Sequence, residues 1–319
     1  MLLDLDRVPA PKTVDPAFRR DMIEGFSRTP KATPPIWFYD RRGSELFEEI
    51  TRLPEYYPTR VETELLAEYG SAIGERIGAG RAVVEFGAGS AVKTPHLLNA
   101  IRPAAYVPVD ISGDFLRDSS AALAARFPDL PVVPVEADFM QPVTLPHGVA
   151  ALPKLGFFPG STIGNMDARA AVDLLRTMRA SLGEGAMLLI GMDRVKDVDI
   201  LVSAYDDAAG VTAAFNLNLL VRINRELGGT IPVEAFAHRA IWNDDAARIE
   251  MHLEALSDVA FVIDGIAFRM AKGETLHTEN SHKYGMRDGR LLLRAGGWEP
   301  VSEWSDPEGM FVLILAEAN

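Results

Sequence analysis

The sequence predicts an α/β fold: a largely parallel sheet with helices on both faces, and a smaller α+β unit inserted before its last strands. Three observations carry that expectation. Strand-length apolar runs alternate with helix-length amphipathic segments across residues 61–195, the first run ends in a glycine turn that opens a helix, and past Asp193 the pattern changes to one helix followed by strand-rich sequence.

In chain order, residues 1–60 read as a wrapped arm, because PPIWFYD and RLPEYYPTR mix prolines and aromatics with little regular period. A helix is expected from Arg60 to Ile77, with Leu65, Leu66, Tyr69 and Ile73 at helical spacing and a stop in the glycines of IGAG. RAVVEF is then a buried strand, GAGSAVK a turn, TPHLLNAI a helix and AYVPVD a strand. SGDFLRDSSAALAARF places Phe115, Leu116, Ala122, Leu123 and Phe127 on one helical face. PVVPVEADF and KLGFFPGSTIGN supply the next strands, DARAAVDLLRTMRASLGEG a helix stopped by glycine, and AMLLIGMD the fifth strand. VTAAFNLNLLVRINRELGG is the helix of the inserted unit, ARIEMHLEAL alternates Ile249, Met251, Leu253 and Ala255 inward, and DVAFVIDGIAFRM is a hairpin about Asp264-Gly265. WEPVSEW and MFVLILAEA, joined by SDPEG, form an antiparallel pair at the sheet edge. The units are therefore 61–195 with 285–319, and 1–60 with 196–284, and a ligand site is expected where the parallel strands' carboxyl ends face the insertion.

With 319 residues, 48% hydrophobic and 24% charged, the chain has the profile of a globular protein with a substantial core. Its net charge of −13 and lack of any Lys/Arg run oppose a grip on nucleic acid or an anionic membrane. The absence of cysteine removes disulfides, thiolate metal sites, iron–sulfur clusters and thiol nucleophiles. No apolar stretch approaches the roughly 18 residues of a membrane span, and MLLDLDRVPA has acids where a signal peptide carries bases, so a cytoplasmic location is expected. The six histidines show no metal-ligand spacing, no metal is expected, and Ser161 sits in a turn without a nucleophile elbow.

The sharpest motif is Val83-Val84-Glu85-Phe86-Gly87-Ala88-Gly89-Ser90. A strand that ends in Gly-x-Gly and opens a helix lets its backbone pass close beneath a nucleotide-like ligand. Val92 stands where a dinucleotide fingerprint has its third glycine, while Glu85 and Lys93 suit a nucleoside with a charged tail. Asp110 at the end of the next strand can accept both ribose hydroxyls, and Asp138 can take an adenine amino group while Phe139 packs on the ring. Acidic strand ends without a pyrophosphate loop match S-adenosylmethionine better than a nicotinamide dinucleotide.

WFYD (37–40), TRLPEYYPTR (51–60), GSTIGN (160–165), AYDDAAGVTAAFN (204–216) and RIEM (248–251) together resemble the histidine-specific, S-adenosylmethionine-dependent Nα-methyltransferases of ergothioneine biosynthesis, along nearly the whole chain. The resemblance implies a Rossmann-like class I methyltransferase sheet with an antiparallel C-terminal strand, joined to an inserted α+β domain that binds the amino acid. It implies three methylations of the α-amino group of L-histidine, through mono- and dimethyl intermediates, to hercynine. It also implies that Gly87, Lys93, Asp110, Asp138 and Phe139 hold the cofactor, and that Tyr56, Asn165, Tyr205, Glu279 and Ser281 hold the amino acid. Tyr39 is placed near the reacting amine with Phe47 as an aromatic neighbour, and Met251 and Glu279 shape the imidazole pocket. The turn reads Gly-Ala-Gly where the family often has Gly-Ser-Gly, and TENSHKY keeps the acid and the serine but differs around them.

These residue types suit the chemistry. Displacement at a sulfonium needs a neutral amine held about 3 Å from the methyl carbon, so positioning is the main resource. Tyr39 and Tyr56 can orient the amine, and as phenols with an ordinary pKa near 10 they are orienters first and proton relays second. Tyr39, Phe47 and Tyr56 can accommodate a quaternary ammonium through cation–π attraction of about 1–2 kcal/mol. Asn165 and Tyr205 offer polar atoms to the amine or the carboxylate. Glu279 and Ser281, two apart in an extended segment, point the same way and can bond the two imidazole nitrogens. The rivals are a relative acting on another amino acid such as tryptophan, which an apolar residue at 279 would have favoured, a nicotinamide-dependent oxidoreductase, and a non-catalytic nucleoside-binding module. A monomer is expected, since the insertion already covers the active-site face.

Overall fold

The computed structural model describes residues 14–89 and 93–319. The N-terminal MLLDLDRVPA reading and the part of the glycine motif that includes Ser90 and Val92 lie outside the described residues.

The arm is more regular than its composition suggests. It holds helix α1 (Pro16–Ser27), a short strand β1 (Lys31–Ala32), a 3-10 turn at Pro35–Phe38 and helix α2 (Arg41–Ile50) before α3 (Tyr57–Ile77). Capping explains it: Asp15 accepts from the Ala17 and Phe18 N–H groups, and Asp40 accepts from Gly43. Each helix is too short to show its period against the surrounding prolines.

The next stretch follows the expected alternation: β2 (Ala82–Phe86), α4 (Thr94–Ile101), β3 (Ala105–Asp110), α5 (Gly113–Arg126), β4 (Val135–Glu136), α6 (His147–Ala150), β5 (Lys154–Phe158), α7 (Ala168–Leu182) and β6 (Met187–Asp193). β4 is far shorter than the PVVPVEADF run, because Pro131 and Pro134 lack the N–H groups a ladder needs. The inserted segment contributes α8 (Val198–Ser203), α9 (Val211–Leu227), β7 (Phe236–Asn243), β8 (Arg248–Ala255), β9 (Val259–Ile263), β10 (Ile266–Met270) and β11 (Thr275–His282). The chain returns through α10 (Asp288–Ala295), β12 (Trp298–Ser305) and β13 (Phe311–Ala318). The sequence reading had not resolved α8, β7 and α10, which are short or half-exposed.

The large sheet has the order β12-β13-β6-β5-β2-β3-β4, parallel from β6 to β4 and antiparallel where β13 joins β6 and β12. This is the doubly wound sheet with an antiparallel C-terminal strand that the sequence predicts. Its strands are buried on both sides: Val83 packs into the layer of α3 and α4, and its neighbour Val84 into the layer of α7 and α10. The second sheet, β1-β11-β8-β7, takes one strand from the arm. Ile249, Met251, Leu253 and Ala255 of β8 all join the apolar layer that includes Phe215, Leu219 and Ile223 of α9, which is the alternation read from the sequence. The β9–β10 hairpin turns at Asp264 and Gly265 with φ of 50° and 77°, the left-handed pair that an Asp-Gly turn supplies.

Candidate functional site

The glycine turn is fastened to the neighbouring strand, with the Gly87 and Ala88 N–H groups both donating to the Val109 carbonyl, at 2.9 and 3.2 Å. Gly87 has φ of +76°, and a Cβ there would lie 3.6 Å from the Phe139 ring. A Cβ on Gly89 would lie 3.9 Å from Asp110 Oδ2. Gly87, Gly89, Asp110 and Phe139, three of them named from the sequence as cofactor ligands, thus surround one bend at the carboxyl ends of β2 and β3. Asp110 accepts the Ser112 N–H at 2.8 Å through Oδ1, and burial raises its carboxyl above the ordinary range. Asp138 is exposed beside Phe139 and accepts the Met140 N–H at 2.9 Å.

Two charges of the motif turn inward. Glu85 is buried beneath the bend, where Thr94 and Tyr106 each donate to its Oε2 at 2.8 Å, and burial raises its carboxyl to about 7. Lys93 is paired with Glu62 of α3, a fully buried carboxylate that also accepts the Gly160 N–H at 2.8 Å. The glycine turn, the first long helix and the GSTIGN loop are thereby tied together.

A shell of aromatic rings stands across from the bend. Tyr39 meets Phe47 edge-on at 5.7 Å between centroids, Phe47 meets Tyr56 at 6.3 Å, and Tyr56 meets Tyr205 at 6.1 Å. Phe215 of α9, a residue the sequence reading left unassigned, closes the shell against Tyr39 at 5.8 Å and Phe47 at 6.1 Å. Burial, with Glu279 and the other tyrosines nearby, raises the Tyr39 and Tyr56 phenols well above their ordinary pKa, so neither is a resting base. Asp110 also raises Tyr39, and the Ser112 hydroxyl donates to the Tyr39 carbonyl at 3.4 Å, so this tyrosine sits between the glycine bend and the inserted sheet.

On that sheet Glu279 is the direct cross-strand partner of Met251, and Ser281 of Ile249, which sets both polar groups on the face toward α9. Glu279 is buried, its Oε2 has no hydrogen-bond partner, and burial pushes its carboxyl up to about 7 although Lys283 draws it down. Ser281 Oγ lies 2.7 Å from Tyr205 Oη. Asn165, half-buried at the end of a 3-10 turn, follows Gly164, whose carbonyl lies 2.8 Å from His282 Nδ1 and fastens that loop to β11. Tyr39, Phe47 and Tyr56 of the arm, Tyr205 of the α8–α9 connection, Met251 of β8 and Glu279 and Ser281 of β11 therefore lie together, and the loop that carries Asn165 is fastened to β11 beside them.

A buried ionic group lies behind them that the sequence reading missed. Asp193, at the end of β6, bonds Lys283 at 2.8 Å and accepts from Tyr57 Oη at 2.7 Å, while Lys196 bridges Asp193 and Tyr57. Burial opposes the Asp193 charge, yet the two lysines hold its carboxyl below the ordinary range. The signal for Lys283 was present in the chain, because 279, 281 and 283 continue one alternation, and all three are buried. The Asp193 backbone N–H donates to Ser161 Oγ at 2.9 Å, which gives that turn serine a structural use.

Among the described residues Glu250, His252 and His277 form a group of metal-ligating types, on the opposite face of β8 and β11, with their ligand atoms within 4.8 Å of one another. Spacing along one strand could not reveal it, since His252 and His277 are cross-strand partners. The two rings stack at 4.6 Å and 18°, and Glu250 already binds Arg248 at 2.6 Å and Asn243 at 2.8 Å. That geometry is a stacked histidine pair beside a satisfied carboxylate.

A family model described as "Histidine-specific methyltransferase, SAM-dependent" matches residues 18–318. The chain is 41% identical over 323 residues to histidine N-alpha-methyltransferase of Mycolicibacterium smegmatis, covering 99% of both chains. It is 39% identical to the protein of the same name from Mycobacterium tuberculosis, covering 94% of each. It is 27% identical to ergothioneine biosynthesis protein 1 of Neurospora crassa, where the match takes 91% of this chain and 34% of that one.

Proposed function

This chain belongs to the histidine-specific, S-adenosylmethionine-dependent methyltransferases, and from that premise we propose how its residues methylate the α-amino nitrogen of L-histidine three times, giving hercynine for ergothioneine biosynthesis. The observation that carries the reading is the unpartnered, buried Glu279 oxygen inside a shell of aromatic rings that reaches, through Tyr39, to the glycine bend. The bend suits the donor: Cβ-free positions at Gly87 and Gly89 leave a cradle between Phe139 and the Asp110 carboxylate. When bound there, S-adenosylmethionine supplies a methyl carbon made electrophilic by its sulfonium. Asp110 would take the ribose hydroxyls, and Phe139 and Asp138 the adenine, with Lys93 supporting the turn through Glu62.

The inserted unit does the rest. Glu279 accepts an imidazole N–H, Ser281 meets the second nitrogen, and Met251 fills the space beneath the ring. Asn165 holds the carboxylate and amine ends, the Tyr205 hydroxyl stands with Ser281 at the imidazole, and Tyr39 and Tyr56 aim the nitrogen lone pair. The rings of Tyr39, Phe47, Tyr56 and Phe215 favour the cation that accumulates with each methylation. We assign residues 61–195 with 285–319 to the cofactor unit and 1–60 with 196–284 to the amino-acid unit. A sulfonium is already an adequate electrophile, so the reaction calls for no metal. The net charge of −13 opposes binding to nucleic acid or an anionic membrane. A monomer is proposed because the inserted unit covers the active-site face, and a cytoplasmic location is proposed with it. Among the described residues no helix is long and apolar enough to cross a bilayer.

Mass spectrometry of L-histidine incubated with enzyme and S-adenosylmethionine tests the reading. Successive gains of one, two and three methyl groups are expected, and gains on tryptophan or another amino acid but not on histidine would reassign the substrate.

A further inference from the structure

The Lys283 side chain is wholly buried behind the amino-acid pocket, and its ammonium lies 2.8 Å from Asp193 Oδ2, 2.8 Å from Ser281 Oγ and 3.0 Å from Tyr205 Oη. An ammonium carries three protons and accepts none, so these bonds use all three and both hydroxyl oxygens are receivers. The two hydroxyls are themselves 2.7 Å apart, so one donates to the other. Whichever way that bond runs, it takes one hydroxyl proton and leaves the second, for which neither hydroxyl has a further acceptor among the described residues. Glu279, two residues earlier on the same face of β11, presents the complementary case, an acceptor oxygen with no donor.

Resting on the histidine reading above, we propose that Lys283 is a positioning residue for substrate specificity: by occupying the acceptor sites of Tyr205 and Ser281 it makes that wall of the pocket a hydrogen-bond donor, so the site takes a neutral imidazole with its N–H toward Glu279 and its bare nitrogen toward the hydroxyl pair. The same ammonium opposes a second ring proton by charge. An indole, with an N–H and no ring acceptor, and an imidazolium, with two N–H groups and none, both leave the donated proton unpaired in a dry site, which is the costly outcome.

The test is calorimetric binding to the complex with S-adenosylhomocysteine, comparing L-histidine with the two pyrrolylalanine isomers, which keep a ring N–H and replace the other nitrogen by C–H. On the wild-type protein each isomer should bind at least about 30-fold more weakly than histidine. In Lys283→Met histidine should lose at least about tenfold, S-adenosylhomocysteine should bind within about twofold of wild type, and the histidine–pyrrolylalanine gap should shrink to about threefold or less. A pyrrolylalanine that binds wild type as well as histidine does, or a Lys283→Met protein that keeps the full gap, overturns the proposal. Should Lys283→Met fail to fold, Ser281→Ala combined with Tyr205→Phe must close the same gap, and a gap unchanged there overturns it equally. Histidine that neither binds nor is methylated by the wild-type protein overturns the underlying reading and this inference with it.

Discussion

Glu279 carries a cost that the imidazole-binding role proposed for it would explain. Burial raises its carboxyl to about 7, so between the unfolded value of about 4.5 and that pH the folded protein holds a proton the unfolded chain has lost. Stability contributed by this site therefore falls as pH rises through that window and stays low above it. Glu279→Gln is expected to stabilise the ligand-free protein at pH 8 by up to about 3 kcal/mol, with the gain gone below pH of about 4.5, in urea melts across that range. The same variant should weaken histidine far more than S-adenosylhomocysteine in calorimetry, and equal losses for both would mean the pocket is misplaced. Tyr39 makes the complementary case. On the proposed reading, a phenol held well above its ordinary pKa by burial would orient the amine instead of deprotonating it. Tyr39→Phe should then cost kcat about tenfold, the worth of one hydrogen bond, without moving the pH–rate profile. A loss nearer a thousandfold with a displaced basic limb would identify it as the base.

Placing those side chains falls to elements whose packing leaves little slack. Helix α2 approaches the PIWF turn so closely that a Cβ on Gly43 would sit 1.8 Å from the Phe38 carbonyl oxygen. Gly43→Ala must push that carbonyl, and Tyr39 after it, out of place. It should cost about 1–3 kcal/mol in chemical denaturation and lower activity more than cofactor affinity. Much of this level was legible beforehand: the βαβ alternation, the glycine stops, the Asp-Gly hairpin and the inward face of β8 all follow from local period and turn chemistry. The two arm helices were not, because their caps lie among prolines and aromatics that obscure a short period. β7 was missed because its outer positions, such as Arg239 and Ile241, are exposed or half-buried, and its alternation is weak.

Across the whole molecule, buried ion pairs join parts far apart in the chain. Lys93 beside the glycine turn neutralises Glu62 of α3, which in turn holds the Gly160 N–H of the β5 loop. Removing the lysine alone strands a fully buried carboxylate, so Lys93→Met should cost about 3–5 kcal/mol in thermal or urea unfolding. Adding Glu62→Gln should recover most of it. Recovered stability with normal S-adenosylmethionine affinity would make Lys93 a member of the frame, and recovered stability with lost affinity would mean it also touches the cofactor. The second pair, Asp193 with Lys283, supports Tyr205 and Ser281 from behind in the same manner.

By itself the sequence determined the sheet, the glycine bend, the family resemblance and the residue types offered to each ligand, because period, turn chemistry and contiguous motifs are local properties of a chain. Only the tertiary structure decided which buried polar groups meet. Tyr57 and Asp193 are 136 residues apart and Tyr205 and Lys283 are 78 apart, and nothing local marks either pairing. Their partnership arises from desolvation, which forces each buried charge to find whatever counter-charge or hydrogen-bonding group the folded chain brings within reach.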